Sequence, residues 1–295
     1  MATDAAPRSH RVETRFAAAM VVGSITSVQC GAALATTLFD EVGSSGAVLM
    51  RSGFGALILV ALAARGLPPL RAWLSRDVVL FALALAGATL CFYAAIDRLP
   101  LGIAVTFEFL GPLGVAVFGS RRRRDLIWVA LAAAGIVLLS NPGGSGGLDA
   151  LGVALAVIAA GFWALYILQS DRVGKAHPGL GGLAAAAVVS TVMVAPFGIA
   201  SGGTDLLALS VLAVGLGVGL LSSAIPYGLE LEALRRLPNA VFGVLMSLEP
   251  AAGALVGFIA LSQDLSLTEI IAIALVVTAS AGALRSASTP APRDG

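Results

Sequence analysis

Two glutamates, Glu108 and Glu249, lie near the middle of long apolar segments of this 295-residue chain. An ionised carboxylate costs roughly 3 kcal/mol or more in hydrocarbon, so burial favours the neutral acid and a carboxyl here could exchange a proton. Glu108 stands four residues before Pro112, and Glu249 stands one residue before Pro250. Because a difference of three residues keeps two positions on similar helix faces, the sequence predicts that both acids face one cavity. The alternative is that each acid is a structural partner of a backbone or hydroxyl group.

The two segments that carry these acids begin with the same tripeptide. Arg98-Leu99-Pro100 and Arg236-Leu237-Pro238 lie 138 residues apart, and each is followed by eleven residues and a further proline. A duplicated membrane unit with an acidic group at its centre is more typical of transporters than of enzymes.

The composition predicts an all-α integral membrane protein. The chain is 58% hydrophobic and 12% charged, with a mean hydropathy of +0.95. A spanning helix needs about 20 apolar residues. The sequence predicts ten such helices, at about 16–38, 45–64, 77–97, 100–119, 125–140, 149–169, 180–200, 208–232, 238–261 and 267–284. The polar ends, 1–15 and 285–295, are predicted to be disordered and cytoplasmic.

The distribution of basic residues predicts the topology. With the N-terminus inside, 16 of the 18 lysines and arginines fall in inner loops or inner ends, as the positive-inside rule requires. The Gly-rich loop 141–147 separates five helices (16–140) from five (149–284). Since five is odd, the second unit must enter the membrane from the opposite side, which predicts two inverted repeats around a cavity near the midplane. The protein is thus expected in the inner or plasma membrane, with both termini cytoplasmic.

Further polar and aromatic residues within the predicted spans could complete a binding cavity. Arg51 lies about six residues inside the second span from its outer end. It could bind a carboxylate or pair with a glutamate, or it could snorkel to the outer interface. The other candidates for substrate binding are Gln29, Tyr93, Trp163, Tyr166, Ser222 and Tyr227. Trp163 and Tyr166 share a helix face too deep for the interfacial aromatic belt, with ordinary interhelical packing as the alternative.

Two more acids lie at the inner end of the eighth predicted helix. Glu232 can pair with Arg236 at i, i+4, which indicates a solvated structural pair. Glu230 is deeper and could line the inner mouth of a cavity.

Prolines and glycines indicate irregular and closely packed helices. Pro112, Pro226 and Pro250 each remove a helical hydrogen bond, which lipid tolerates only where protein or cavity water satisfies the freed carbonyl. A passive kink packed by neighbours is the alternative. Pairs at small-xxx-small spacing, Gly215/Gly219 and Gly253/Gly257, predict close helix packing, either between the two units or in a homodimer.

Several function classes lack support in the sequence. No phosphate-binding glycine loop is present, so primary transport has no energy source, and no enzymatic motif is apparent. Cys30 and Cys91 fall within spans and His10 and His177 outside them, so no cofactor and no metal are expected. The basic run 121–124 is a topology determinant that could touch anionic membrane lipid; nucleic-acid binding is not supported.

Several stretches resemble the EamA-type branch of the drug/metabolite transporter superfamily, and within it the inner-membrane threonine/homoserine exporters. They are 27–32 (SVQCGA), 99–112 (LPLGIAVTFEFLGP), 163–168 (WALYIL), 221–227 (LSSAIPY) and 246–250 (MSLEP). The likeness covers roughly residues 16 to 284. It implies ten helices in two inverted five-helix repeats, export of small neutral amino acids, and coupling to the proton-motive force.

The expected function is therefore secondary export of threonine, homoserine or a similar small amino acid, in antiport with protons. Glu108 and Glu249 would alternate between a proton and the substrate ammonium, while Arg51 or freed backbone donors would bind the carboxylate. One alternative keeps the fold and exports aromatic metabolites or cationic drugs. Another is a non-transporting membrane sensor or scaffold.

Overall fold

The computed structural model describes residues 6–119, 126–140, 148–177, 179–237 and 239–288. The arginine run 121–124, the loop 141–147 and Pro238 lie outside the described residues. The regular secondary structure of the described residues is helical. The helices are α1 Ala6–Thr36, α2 Phe39–Leu62, α3 Leu70–Trp73, α4 Arg76–Ile96, α5 Leu101–Glu108, α6 Leu110–Gly119, α7 Leu126–Ser140, α8 Ala150–Ala176, α9 Gly181–Gly202, α10 Leu209–Gly219, α11 Ile225–Leu234, α12 Asn239–Met246, α13 Glu249–Leu261 and α14 Leu267–Ser288.

Eight segments among the described residues are long and apolar enough to cross a membrane. They are Arg15–Thr36, Phe39–Leu62, Arg76–Ile96, Leu101–Phe118, Ala150–Ala176, Gly181–Leu207, Leu209–Leu234 and Val241–Leu261. The fifth and tenth predicted segments form shorter apolar helices, Ile127–Leu138 and Leu267–Ala283, so eight rather than ten segments reach the required length. These helices indicate a multi-pass membrane protein.

Helices at corresponding places in the two predicted units pack against each other. The pairs α2 with α9, α5 with α13, and α7 with α14 are all in contact. The contact of α4 with α8 has its counterpart in the contact of α1 with α11. The central packing therefore joins the first half of the chain to the second.

Three helix boundaries differ from the sequence prediction. Helix α1 begins at Ala6, so most of the segment predicted to be disordered at 1–15 is helical, and α14 continues to Ser288 rather than 284. Helix α2 begins at Phe39 rather than 45, because a short helical segment, 39–42, precedes a kink at Gly43, whose φ of 71° and ψ of 167° are not helical. A glycine tolerates this left-handed φ, whereas a side chain would be strained.

Ser201 of α9 stabilises the kink in α2. Its hydroxyl donates to the carbonyl of Val42, with an O···O distance of 2.9 Å. A Cβ atom at Gly43 would collide with the same hydroxyl. The kink in α2 is therefore built around a contact with its partner helix α9, which no local pattern reveals.

Two spanning segments are interrupted close to their prolines. Helix α5 ends at Glu108 and α6 begins at Leu110; α12 ends at Met246 and α13 begins at Glu249. Pro112 has no N–H to donate to the carbonyl of Glu108, and Pro250 has none for Met246. The prediction that these prolines interrupt the spans is confirmed, and each interruption lies beside a glutamate.

Glycines bring α5 and α13 into close contact. A Cβ atom at Gly102 would lie 2.5 Å from the Cα atom of Ala254, and one at Gly253 would lie 3.1 Å from Val105. Added Cβ atoms at Gly215 and Gly219 would meet Met50 and Phe54 of α2 at 2.9 and 2.7 Å. Both predicted glycine pairs thus serve packing within the chain.

Asp149 and Gln263 supply hydrogen-bond acceptors to the first turns of α8 and α5. The Asp149 carboxylate accepts from the N–H of Gly152 at 2.7 Å, which lowers the pKa of this carboxyl, and Arg98 lies 3.5 Å away. The side-chain oxygen of Gln263 accepts a hydrogen bond from the N–H of Leu101 at 2.9 Å. This N–H lies in the first turn of α5, where the helix itself offers no acceptor.

Replacing Gly102 by alanine should destabilise the protein, because the methyl group must push α5 away from α13. Overpacking of this kind costs about 1–3 kcal/mol. Gly114→Ala is the matched control, since nothing lies within 4 Å of a Cβ atom there. Thermal unfolding in detergent should show a lower midpoint for Gly102→Ala alone. Equal midpoints for the two variants would contradict the close packing.

Candidate substrate cavity

A cavity of about 250 Å³ lies between the helices, walled by residues of α1, α2, α4, α5, α8, α11, α12 and α13. Its lining residues are Val28, Gln29, Ala32, Arg51, Leu85, Ala88, Thr89, Phe92, Tyr93, Val105, Glu108, Trp163, Tyr166, Ser222, Pro226, Tyr227, Glu230, Met246 and Glu249. Both halves of the chain contribute to the wall. The cavity contains three carboxyl groups and one guanidinium group among its lining side chains.

All nine side chains predicted for a binding cavity line this one. They are Gln29, Arg51, Tyr93, Glu108, Trp163, Tyr166, Ser222, Tyr227 and Glu249. The structure also places Glu230 on the wall, whereas Glu232 forms the predicted pair with Arg236 (N···O 2.5 Å). These residues could be predicted from the sequence, because a polar side chain deep in a membrane span needs a polar partner in the protein or a water-filled cavity.

Sequence reasoning missed the part of the wall that α4 supplies beside Tyr93. Leu85, Thr89 and Phe92 follow one another at spacings of four and three residues, which places them on one helix face. That spacing is the signal that could have identified them. In an almost wholly apolar helix, however, lipid-facing residues follow the same spacing.

Arg51 lies eight residues after the kink at Gly43, in the continuous part of α2, close to the position that the sequence predicts. Its guanidinium carbon is 5.5 Å from the centroid of the Tyr93 ring, within range of a cation–π interaction. Arg51 also attracts the carboxylate of Glu108 electrostatically. Arg51 thus lines the cavity and supplies positive charge to it.

Three buried polar atoms on the cavity wall have no hydrogen-bond partner among the described residues. They are Oε1 of Gln29, the hydroxyl of Tyr93 and Oε2 of Glu249. Gln29 is 3% exposed, Tyr93 is 0% exposed and Glu249 is 5% exposed. Since a buried polar group without a partner costs about 1–3 kcal/mol, such atoms are usually paired. Three of them around one cavity indicate a site that binds a polar ligand.

The third acid, Glu230, is held by α1. Its carboxylate accepts from the hydroxyl of Ser24 at 2.6 Å. Glu230 and Glu108 both repel the carboxylate of Glu249. Three carboxylates around one guanidinium leave an excess of negative charge, so the cavity favours a bound cation or proton.

Two aromatic side chains of α8, Trp163 and Tyr166, form part of the cavity wall. The ring of Tyr166 lies 5.0 Å from that of Phe81, and the ring of Trp163 meets Phe109 edge to face at 5.5 Å. Contacts of this kind orient both rings. Interhelical packing, the alternative role for Trp163 and Tyr166, is thus only part of their role. Both rings pack on neighbouring helices and also line the cavity.

A π-helical turn, Leu220–Ala224, directs Ser222 and Tyr227 toward the cavity. In this turn the N–H of Ile225 bonds to the carbonyl of Leu220, and the next residue is Pro226, which has no N–H. The carbonyl of Leu221 is therefore left without a helical partner. The hydroxyl of Ser27 on α1 donates to it at 2.7 Å. Turns of this kind occur frequently at functional sites.

Comparison with known proteins agrees with this architecture. Residues 150–285 match the EamA-like transporter family. The threonine/homoserine exporter RhtA of Salmonella typhimurium strain SL1344 is 40% identical over 264 residues, which are 88% of each chain. RhtA of Escherichia coli strain K12 is 39% identical over the same share of each chain. A solved crystal structure with 19% identity matches with a TM-score of 0.61 over 89% of this chain and 95% of its own, which supports the fold.

Membrane-spanning helices around a polar cavity, together with these relatives, define a multi-pass membrane transporter. The relatives cover 88% of the chain at about 40% identity. The chain belongs to the EamA-like transporter family.

Removing the Ser27 hydroxyl should destabilise the protein, because the carbonyl of Leu221 would lose its partner at a cost of about 1–3 kcal/mol. Ser280→Ala is the control: Ser280 is fully buried and its hydroxyl has no hydrogen-bond partner among the described residues. Thermal unfolding in detergent should show a lower midpoint for Ser27→Ala and an equal or higher one for Ser280→Ala. A Ser27→Ala variant as stable as wild type would show that the bond to Leu221 contributes nothing.

Proposed function

We propose that this transporter exports threonine, homoserine or a similar small neutral amino acid, by antiport with protons. The observation that carries the proposal is one cavity lined by Arg51 and by the acids Glu108 and Glu249. An amino acid is a zwitterion, and this cavity presents both charges that a zwitterion requires. The RhtA relatives, which are threonine/homoserine exporters by name, support the substrate class.

Arg51 is the proposed partner of the substrate carboxylate. Its planar guanidinium can donate two parallel hydrogen bonds to a carboxylate. Its contact with the ring of Tyr93 holds the guanidinium at the wall. Glu108 and Glu249 are the proposed partners of the ammonium, with Gln29 and Tyr93 supplying the unpaired polar atoms nearby.

Proton coupling follows from competition for the same carboxylates. Mutually repelling carboxylates in a low-dielectric site cannot all be ionised at little cost. Glu249 repels Glu108 and has an oxygen without a partner, so it is the stronger candidate to bind a proton in the absence of substrate. When the substrate ammonium arrives, it replaces the proton. A carrier that holds one or the other, but not both, exchanges them across the membrane.

The proposed topology has ten spans in two inverted repeats, with both termini cytoplasmic. Three features support it: the helix pairs α2–α9, α5–α13 and α7–α14, the interrupted fourth and ninth segments, and the shorter helices at the fifth and tenth places. Repeats of this kind place the substrate site between the two units and allow alternating access.

The packing of α5 on α13 suggests how one side of the cavity closes. Residues 101–107 of α5 are all buried, and Gly102 lies directly against Ala254. Gln263 then caps the first turn of α5. We propose that these contacts close the outer side in this conformation and separate when substrate is released.

A second candidate, export of an aromatic or cationic compound, is favoured by the aromatic wall of Tyr93, Trp163 and Tyr166 beside the acids. Arg51 favours the zwitterion instead, because a cationic or neutral aromatic compound offers no carboxylate to its guanidinium. Expression of the protein in a sensitive strain separates the two: resistance to toxic threonine analogues supports amino-acid export, and resistance to lipophilic cations alone supports the second candidate.

Glu108→Gln and Glu249→Gln should each abolish threonine uptake driven by a pH gradient in inverted vesicles. The amide keeps the shape of the carboxyl but cannot exchange a proton. Asp171→Asn is the control, because Asp171 forms an exposed ion pair with Lys175 outside the cavity and such pairs contribute about 0–1 kcal/mol. If both glutamine variants transport normally, the carboxyl mechanism is wrong.

Arg51→Gln should raise the threonine concentration needed for half-maximal transport by roughly a hundredfold, since a charged hydrogen-bonding pair contributes about 1.5–3 kcal/mol. Arg51→Lys keeps the charge and should recover part of this loss. Threonine methyl ester, which lacks the carboxylate, should compete weakly against threonine for the wild type. An ester that competes as well as threonine would contradict the assignment of Arg51.

A further inference from the structure

A smaller cavity of about 60 Å³ adjoins the substrate cavity. Five residues form walls of both: Arg51, Leu85, Thr89, Ser222 and Tyr227. The remaining lining residues lie on α2, on α9 and in the π-helical turn: Ser52, Gly55, Ala56, Leu59, Leu183, Ala187, Ser190 and Ser223. We call this space the side chamber. It begins at Arg51, the residue assigned to the substrate carboxylate.

Two buried hydroxyls of the side chamber have no hydrogen-bond partner among the residues that the structure describes. Ser190 is 3% exposed and Ser223 is 9% exposed, and neither side chain forms a hydrogen bond among the described residues. Serines and threonines within helices usually donate to a carbonyl one turn earlier. Thr191, the neighbour of Ser190, does so to Ala187 at 2.8 Å. The hydroxyls of Ser190 and Ser223 remain available to a bound group.

The side chamber is small. One water needs roughly 10–15 Å³ of cavity volume measured in this way, so about 60 Å³ accepts on the order of four water-sized groups. A side chain of about three non-hydrogen atoms, such as that of threonine or homoserine, is of this size, whereas an aromatic ring is too large. Leu59 and Leu183 add apolar surface for the carbon atoms.

We propose that the side chamber is a specificity subsite that binds the short hydroxylated side chain of the substrate, with Ser190 and Ser223 as hydrogen-bond partners. The α-carboxylate stays at Arg51 and the α-ammonium in the larger cavity. This inference rests on the proposed function and assigns the residues that select the side chain of the substrate. A side chain without a hydroxyl leaves both serines unpaired, and a site built around such hydrogen bonds rejects analogues that lack the group.

Threonine and valine test the hydroxyl contacts, because they have nearly the same shape and differ in the hydroxyl. In proteoliposomes, the wild type should prefer threonine over valine, and the double variant Ser190→Ala/Ser223→Ala should reduce this preference by roughly tenfold, which is the loss of about one hydrogen bond. The thermal unfolding midpoint of the double variant in detergent should equal that of the wild type, which shows that the variant is folded. Thr191→Val is the matched control and should keep the wild-type preference.

Ala187→Leu tests the size of the side chamber, because the added carbon atoms fill it. This variant should lose threonine and homoserine transport while its thermal unfolding midpoint in detergent stays at or above that of the wild type. If the wild type transports threonine and homoserine, but the Ser190→Ala/Ser223→Ala and Ala187→Leu variants both keep its selectivity, the proposed subsite is wrong. The proposed export function then stands. If the wild type transports no amino acid, the proposed function and the subsite are both wrong.

Discussion

Backbone hydrogen bonding in a medium without water is the constraint on which this structure depends. Every carbonyl freed inside a span must find a partner in protein or in a water-lined cavity. At the kink of α2 the partner of Val42 is Ser201, and at the π-helical turn the partner of Leu221 is Ser27. The interruptions beside Glu108 and Glu249 border the cavity. Irregular backbone is thus placed where neighbouring helices or the cavity can satisfy it, and the same irregularities turn polar side chains inward.

The charges of the cavity follow from this arrangement. One guanidinium and three carboxylates would be unstable in lipid, yet inside the bundle they oppose one another across a space that both halves of the chain build. Arg51 attracts Glu108, while Glu249 is repelled by both other acids and has an unpaired oxygen. Such a site gains stability from a zwitterion or a proton, and this competition is the physical basis of the proposed proton antiport.

Much of the cavity could be predicted from residue type and depth, because a carboxyl or guanidinium deep in an apolar span needs a polar partner or a water-filled space. Glu108, Glu249 and Arg51 are identified in this way. The kink at Gly43 could not be predicted, because it depends on the contact with Ser201 of a distant helix. Ser190 is not predicted to line a cavity, because a hydroxyl carries no charge and normally bonds to its own helix. The wall formed by α4 has the same spacing as a lipid-facing surface, so only tertiary contacts distinguish the two.

The central claim is that Glu108 and Glu249 face one water-accessible cavity that binds the substrate. Thiol labelling tests it most directly, in a background where Cys30 and Cys91 are replaced by serine. Glu108→Cys and Glu249→Cys should both react with a water-soluble thiol reagent. Leu255→Cys on α13, at a position that is 58% exposed on the outside of the bundle, should not react once the protein is in lipid. If either glutamate position behaves like Leu255, the account is contradicted.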